Sequence, residues 1–433
     1  MQIISMLLAA VLFDAPGNIT ATNGWEFKPS DSKDGMVYNP FEGTFPDKGG
    51  QLFSPSIKLN QKDGEGAYYR LTFTAEAEKK AFEGVCYFDK DGKELPDRYD
   101  VFYAGKASYD RIFYAMPGVD TIKLFFQSDK PFKTSDVKVE NATVEEAAAF
   151  CDRAVKDVPP FKFTAPADAF KLLPKTKAAL AEGTPWRVVM LGDSNSQDLY
   201  HSLYHALVKR EFPKSDLRFM ISMRGSTGIA YYGDPKHPEY FKEYVLDLKP
   251  DLLIIGGASN YRVSVDKEDM AAALAAKKEE FAAIKDGNKR RQAENKFKSE
   301  YKNEWVTERL GNVIRQAQAA GIEVLVCTPM PAMDTRLNPW TPTFNPDFEK
   351  DLGPMTFDAA KNFWCQQTYF PEQMKSITDK CGVEFWDFTT QAYTYLFESG
   401  KPYQWFGRDD YHSGERGKQV WGRLYLEFWK TAK

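Results

Sequence analysis

The sequence predicts two domains of different fold class, an all-β domain followed by an α/β domain with a parallel sheet and helices on both faces. Residues 25–139 form short runs in which apolar and polar side chains alternate, which is the pattern of half-buried strands. After Pro185 the strands are apolar throughout and each precedes a helical stretch, which is typical of strands buried on both faces. The 433 residues suffice for two or three domains, and the 15% aromatic content excludes general disorder.

The first apolar stretch, residues 3–13, has two interpretations. It resembles the apolar centre of a signal peptide, although no Lys or Arg precedes it, and it equally suits a first β-strand. It is about half as long as the ~20 residues that cross a bilayer, so we expect no integral membrane segment. We assign a signal-like segment to residues 1–20. The signal interpretation predicts a secreted or periplasmic protein, and the strand interpretation leaves the cytoplasm open.

We predict a β-sandwich of the jelly-roll kind, resembling carbohydrate-binding domains, over residues 21–142. The expected strands are 52–59, 67–75, 85–88, 111–115 and 121–127. The run from Asp89 to Gly92 supplies the residues of a hairpin turn. Thr143 and Glu146 have the spacing of a capping box, which predicts a helix at Val144–Val155 and the end of the β domain. Residues 143–184 are this helix and a proline-rich linker.

The second domain is predicted to span residues 185–433. Its apolar strands are Arg187–Leu191, Asp251–Ile255, Ile322–Cys327 and Glu384–Trp386. Residues 266–318 are rich in Ala, Glu and Lys and predict one long helix or a helical pair. We interpret the basic run at residues 289–291 as a solvated helical face rather than a binding patch.

Charge and cysteine content exclude several classes of partner. With 57 Lys and Arg against 61 Asp and Glu, the chain has no single-signed field, so we expect no nucleic acid as partner. The five cysteines form no Cys-x-x-Cys pair and have no histidine at ligand spacing, so we predict no metal and no other cofactor. Cys365 and Cys381 either pair in an oxidising compartment or stay free thiols. The oligomeric state is left open.

Four short blocks place polar residues or glycine where a predicted strand ends or before the last helix. They are Gly192-Asp193-Ser194, the strand from Phe219 that runs into Arg224-Gly225, the Asn260 that follows strand 251–255, and Asp409 three residues before His412. The carboxyl edge of an open parallel sheet is where such folds bind ligands. A lone serine at this place could merely cap a helix, but the three further blocks favour a site.

In their identity and order the four blocks resemble the SGNH (GDSL-like) hydrolase family, in the bacterial type with an N-terminal β-sandwich. The resemblance covers the chain from about Arg187 and implies a flavodoxin-like parallel sheet. It implies that Ser194 is the nucleophile, His412 the base and Asp409 its orienting carboxylate, with Gly225 and Asn260 as oxyanion donors. The chain departs from the family pattern at Asn195, where an aliphatic residue is common, and around Asn260, where Gly-x-Asn-Asp is commoner.

Several of these assignments have alternatives. Gly228 suits the same turn as Gly225, Asp410 could replace Asp409, and Asn260 could be a turn residue. Asp193 is expected to make structural bonds at the turn. The other three histidines, His201, His205 and His237, are expected to be structural.

The residue types and the resemblance together predict a serine carboxylester hydrolase that removes acyl groups, most simply acetyl, from a carbohydrate. Serine needs an imidazole within hydrogen-bond reach to attack an ester, and the developing oxyanion needs aimed donors. Large cationic and aromatic residues beside the blocks predict a glycan-binding rim for an acidic, acylated polysaccharide. They are Arg224, Tyr231, Tyr232, Tyr261, Arg262 and Arg408. The alternatives are an O-acyltransferase acting on glycans and a non-catalytic carbohydrate-binding protein.

Overall fold

The structure is a computed structural model that describes residues 11–18, 24–29, 50–62, 64–128, 132–166, 168–224, 227–256, 265–331, 371–401, 405–407 and 412–433. The chain divides into two compact units. Residues 1–157, 201–213 and 218–220 form the first unit, and residues 158–200, 214–217 and 221–433 form the second. The predicted domain boundaries at residues 142 and 184 stay predictions.

The first unit contains an antiparallel sheet. Its strands are β1 (Val11–Asn18), β2 (Glu26–Pro29), β3 (Gly50–Phe53), β4 (Ile57–Lys58), β5 (Ala67–Phe88), β6 (Glu94–Ala115), β7 (Thr121–Ser128) and β8 (Phe132–Ala142). They are ordered β1-β8-β5-β7-β3-β2, with β6 on β5 and β4 on β7. The jelly-roll arrangement of these strands stays a prediction. Strand β1 includes the end of the first apolar stretch, whose residues 3–10 lie outside the described ranges.

The long hairpin of β5 and β6 dominates this sheet and corrects two predictions. The runs 67–75 and 85–88, predicted as separate strands, are one strand, and 111–115 is only the end of β6. The predicted strand 52–59 is two strands, because Pro55, which has no N–H to donate, lies between β3 and β4.

The predicted hairpin turn from Asp89 to Gly92 is confirmed. The Asp89 carboxylate accepts from the N–H of Asp91 and Lys93, and Gly92 has φ +76°.

The helix predicted after the β domain is confirmed as α1 (Val144–Ala154). The Thr143 hydroxyl accepts from the Glu146 N–H at 3.1 Å, and the Glu146 carboxylate accepts from the Thr143 N–H at 2.8 Å. Both bonds of the capping box therefore form.

The second unit is mixed α/β and is organised on a sheet of strands β9 (Pro185–Gly192), β10 (Asp216–Met223), β11 (Leu252–Ile255), β12 (Glu323–Cys327) and β13 (Glu384–Trp386), in the order β10-β9-β11-β12-β13. Strand β11 pairs in parallel with β9 and β12, and β12 pairs in parallel with β13. All four predicted apolar strands are confirmed. Side chains 188–191 and 252–255 are almost fully buried, as strands covered on both faces must be.

Helices connect and follow these strands. They are α2 (Pro174–Glu182), α3 (Ser194–Tyr200), α4 (Tyr204–Glu211), α5 (Ile229–Tyr232), α6 (Pro238–Tyr244), α7 (Lys267–Ala276), α8 (Lys278–Ala282), α9 (Gly287–Ala319), α10 (Pro371–Cys381), α11 (Phe388–Ser399) and α12 (Glu415–Lys430), with a 3-10 turn at Leu246–Leu248. Of these helices, α4 belongs to the first unit and the others to the second. No helix in the described ranges combines the length and the apolar composition needed to cross a membrane.

The stretch predicted as one long helix or a helical pair is three helices, α7 to α9. A new helix begins at Gly287 because the Asp286 carboxylate accepts from the N–H of Asn288 and Lys289 and caps it. The basic run 289–291 is exposed, as a solvated face should be. Cys381 carries a free thiol, and Cys365 lies outside the described residues.

Candidate functional site

Ser194 is the first residue of α3 and is separated from the last residue of β9, Gly192, by Asp193 alone. The end of β9 requires glycine at 192, because a Cβ there would collide with the Ser196 hydroxyl and the Gly256 carbonyl. The Ser196 hydroxyl donates to that carbonyl at 2.6 Å and joins α3 to the residue that follows β11. Half-buried Ser194 is thus presented at the carboxyl edge of the sheet.

The structure brings Ser194 and His412 together although 218 positions separate them in the chain. The Ser194 Oγ lies 2.8 Å from the His412 Nε2. This is the distance over which an imidazole can take a hydroxyl proton.

The segment that carries His412 is held by buried groups. The N–H of Ser413 donates to Asp198 Oδ2 at 3.0 Å, and the Ser413 hydroxyl accepts from the Trp421 indole at 2.9 Å. Residues 407 and 413 also form an antiparallel bridge. His412 is therefore fixed to both α3 and α12 through its neighbour.

Asp193 lies between Gly192 and Ser194 and is buried. Its Oδ1 accepts from the Asn195 N–H at 2.9 Å, which is the structural role expected for it. Burial raises the pKa of this carboxyl to about 7, against the opposing effects of its backbone hydrogen bonds and of the nearby His412.

Tyr232, predicted as a rim aromatic beside Tyr231, is instead buried, with 1% exposure. Its hydroxyl donates to the Gly192 carbonyl at 2.7 Å and accepts from the Arg224 N–H at 2.9 Å. Tyr232 thus joins the segment before Ser194 to the end of β10. The sequence carries no local signal for this contact, because the tyrosine lies on a different element from both partners.

Arg224 is exposed at the end of β10, as a rim residue would be. Its guanidinium lies 4.4 Å from the centroid of the Tyr231 ring, a cation–π arrangement. The Tyr231 ring in turn stacks on the Tyr240 ring, with 4.0 Å between the ring centroids. No carboxylate in the described part of the chain pairs with this guanidinium.

Six of the predicted site residues, Gly225, Asn260, Tyr261, Arg262, Arg408 and Asp409, lie outside the described residues, as does the alternative Asp410. Gly228 is described and precedes α5 as its N-cap. Of the other histidines, His205 is buried with its Nδ1 2.8 Å from the Tyr68 hydroxyl, and exposed His237 lies 2.9 Å from Glu239. Both contacts agree with structural roles. No group of His, Cys, Asp and Glu suited to a metal ion occurs among the described residues.

No protein-family model matches the chain, and no curated protein matches it. Among solved structures it is similar to protein YxiM of Bacillus subtilis, at 12% identity and a TM-score of 0.35, over 96% of this chain and 90% of that one.

Two esterases are also similar to the chain. One is a two-domain esterase active on acetylated mannans, at 13% identity and a TM-score of 0.36, over 61% of this chain and 53% of that one. The other is a catalytic mutant of Axe2, an acetylxylan esterase from Geobacillus stearothermophilus, at 11% identity and a TM-score of 0.34, over 57% of this chain and 95% of that one.

Proposed function

We propose that the protein is a serine carboxylester hydrolase of the SGNH type that removes acyl groups, in the first place acetyl, from a carbohydrate. The observation that carries the proposal is the 2.8 Å distance between Ser194 Oγ and His412 Nε2 at the carboxyl edge of the sheet. The order β10-β9-β11-β12-β13 supports it, because it corresponds to the 2-1-3-4-5 order of flavodoxin-like sheets.

In the proposed reaction His412 takes the Ser194 proton as the hydroxyl attacks the ester carbonyl, and the alcohol leaves with that proton. In the second half of the reaction His412 takes a proton from the water that attacks the acyl-enzyme and returns it to the Ser194 oxygen as the acid leaves. Asp409 orients the imidazole. The N–H of Ser194, the N–H of Gly225 and the Asn260 amide would stabilise the oxyanion, and removal of one such donor typically costs about 2.7–4 kcal/mol of barrier.

The carbohydrate part of the proposal draws on residues around the serine. Aromatic faces pack on sugar rings, and guanidinium groups bind hydroxyls and carboxylates. The exposed Arg224, held over Tyr231 beside the end of β10, fits this role. If an alcohol instead of water resolves the acyl-enzyme, the same residues would perform acyl transfer to a glycan.

The test uses a panel of acylated glycans, with acetylated xylan and acetylated mannan among them, and an organophosphonate that labels activated serines. The wild type should release acetate and become labelled at Ser194. Ser194→Ala and His412→Ala should each lose most turnover, and the double variant should lose little more, because the two groups act as a unit.

The matched controls are Ser376→Ala and His237→Ala, which change an exposed serine and an exposed histidine elsewhere in the same unit and should keep wild-type rates. If the turnover losses of the two single variants multiply in the double variant, Ser194 and His412 act independently, which would contradict the proposed pair. Failure of both labelling and acetate release would favour the non-catalytic glycan-binding alternative.

A further inference from the structure

Asp198 is a buried carboxylate that the proposed reaction does not use. It lies in α3, one helical turn after Ser194, so both side chains belong to the same side of a short helix. Its side chain is 5% exposed, and its Oδ2 accepts from the N–H of Ser413 at 3.0 Å. The carboxylate therefore connects the helix that begins with Ser194 to the residue next to His412.

A buried carboxylate is costly unless it is paired and hydrogen-bonded. Here the Nζ of Lys418, itself 2% exposed, lies 3.8 Å from Asp198 Oδ1 and 3.2 Å from Glu415 Oε1. Lys418 and Glu415 belong to α12, which starts directly after the histidine segment. Asp198 thus shares the Lys418 ammonium with Glu415, and its other oxygen accepts from the backbone N–H of Ser413.

We propose that Asp198 is a positioning residue that sets the separation of Ser194 and His412. Ser413 is held from α3 by the Asp198 carboxylate and from α12 by the Trp421 indole, so the backbone beside His412 has little freedom. Displacement of a catalytic group by about 1 Å can cost about 100-fold in rate. The inference rests on the proposed function, since the separation matters only if the imidazole serves the serine.

Three substitutions separate the hydrogen bond from the charge. Asp198→Ala removes both and should lower kcat roughly 10- to 100-fold with KM within about twofold. Asp198→Asn keeps an oxygen that can accept from Ser413, so it should restore kcat to within about threefold of wild type. Asp198→Glu keeps the charge but lengthens the side chain by one methylene, which moves Ser413 relative to Ser194, and should lower kcat despite the retained ion pair.

The matched control is Asp251→Ala. Asp251 makes the same kind of bond in the same unit, its Oδ2 accepting from the Arg187 N–H at 2.8 Å, but at the opposite end of the sheet. This variant should lose stability and keep kcat. Because Asp198 acts through His412, adding Asp198→Ala to His412→Ala should leave the residual rate unchanged, whereas general damage to the fold would lower it further.

A folded Asp198→Ala variant with wild-type kcat would overturn the proposal, and so would a loss of kcat in Asp198→Asn equal to that in Asp198→Ala. If Asp198→Ala does not fold, Asp198→Glu decides, because wild-type kcat in that variant overturns the proposal as well. A wild-type protein that hydrolyses no ester and takes no phosphonate label refutes the proposed function instead. The wild-type assay thus distinguishes the two failures.

Discussion

At the scale of single residues, the Tyr232 hydroxyl has an unusual position, because it bridges two backbone groups that precede proposed catalytic residues. Gly192 lies two positions before Ser194, and Arg224 directly precedes Gly225. Burial raises the pKa of Tyr232, so its hydroxyl keeps the proton that it donates to Gly192. Tyr232 thereby fixes the end of β9 relative to the end of β10.

Replacement of Tyr232 by phenylalanine keeps the ring and removes both hydrogen bonds. We expect kcat to fall roughly tenfold and the free energy of unfolding to fall by about 1–3 kcal/mol, because buried backbone groups lose their partner. Steady-state kinetics and urea unfolding measure the two effects. Tyr244→Phe is the control. The Tyr244 ring packs edge-on against the Tyr232 ring, with 5.3 Å between the centroids, but Tyr244 makes neither of the two hydrogen bonds that link Gly192 and Arg224. Equal kcat in both variants would contradict the assigned role.

Asp193 should make stability depend on pH. Burial raises its pKa from an ordinary value of 3.8 to about 7. Between pH 3.8 and pH 7 the Asp193 carboxyl keeps its proton in the folded state but has released it in the unfolded state. The contribution of the protonated carboxyl to the free energy of unfolding is therefore complete below pH 3.8 and is lost as the pH rises towards 7.

The measurement is urea unfolding of the wild type and Asp193→Asn from pH 4 to pH 8. Asparagine stays neutral and can still accept from Asn195. The variant should therefore gain stability relative to the wild type as the pH rises, by at most about 1.4 kcal/mol per pH unit. If the difference in the free energy of unfolding between the two proteins stays constant with pH, Asp193 is not protonated in the folded state.

At the scale of elements, the start of α1 depends on one hydroxyl. Thr143→Ala removes the acceptor of the Glu146 N–H and should lower the free energy of unfolding by about 1 kcal/mol. Thr143→Ser keeps the hydroxyl and should retain most of this stability. Urea unfolding curves compare the three proteins, and equal midpoints for Ala and Ser would show that the cap contributes nothing.

At the scale of the whole molecule, the reactivity of the cysteine thiols measures how well the core of each unit is buried. Cys86 and Cys151 are buried in the first unit and Cys327 in the second, whereas Cys381 is partly exposed. Burial raises the pKa of Cys327 to about 12, so it holds almost no reactive thiolate near neutral pH.

Iodoacetamide at pH 8 should therefore label Cys381 first among these four, and mass spectrometry of the digested protein measures the order. The buried thiols should react only when denaturant unfolds their unit, and denatured protein is the control for intrinsic reactivity. Labelling of Cys327 in the native protein as fast as Cys381 would contradict the buried sheet.

Local patterns in the sequence predicted the features that depend on neighbouring residues. The apolar strands of the second unit, the turn at Asp89–Gly92 and the Thr143 cap were all predicted, because periodicity, turn chemistry and capping act over a few positions. The Gly-Asp-Ser block was predicted at a strand end for the same reason. The extent of β5 and β6 was not, because pairing across the hairpin continues through residues whose own pattern is weak.

Which of the proposed groups meet depends on contacts between distant parts of the chain. Ser194 and His412 are separated by 218 positions, and Asp198 and Ser413 by 215, so no local pattern encodes either contact. Tyr232 and Asp198 were not predicted as positioning groups because both hydrogen-bond to backbone atoms, which every residue carries, so the sequence contains no residue type that indicates these contacts. Folding of the sheet edge and the packing of α12 bring these atoms within hydrogen-bond distance, and that geometry distinguishes a capping serine from a proposed nucleophile.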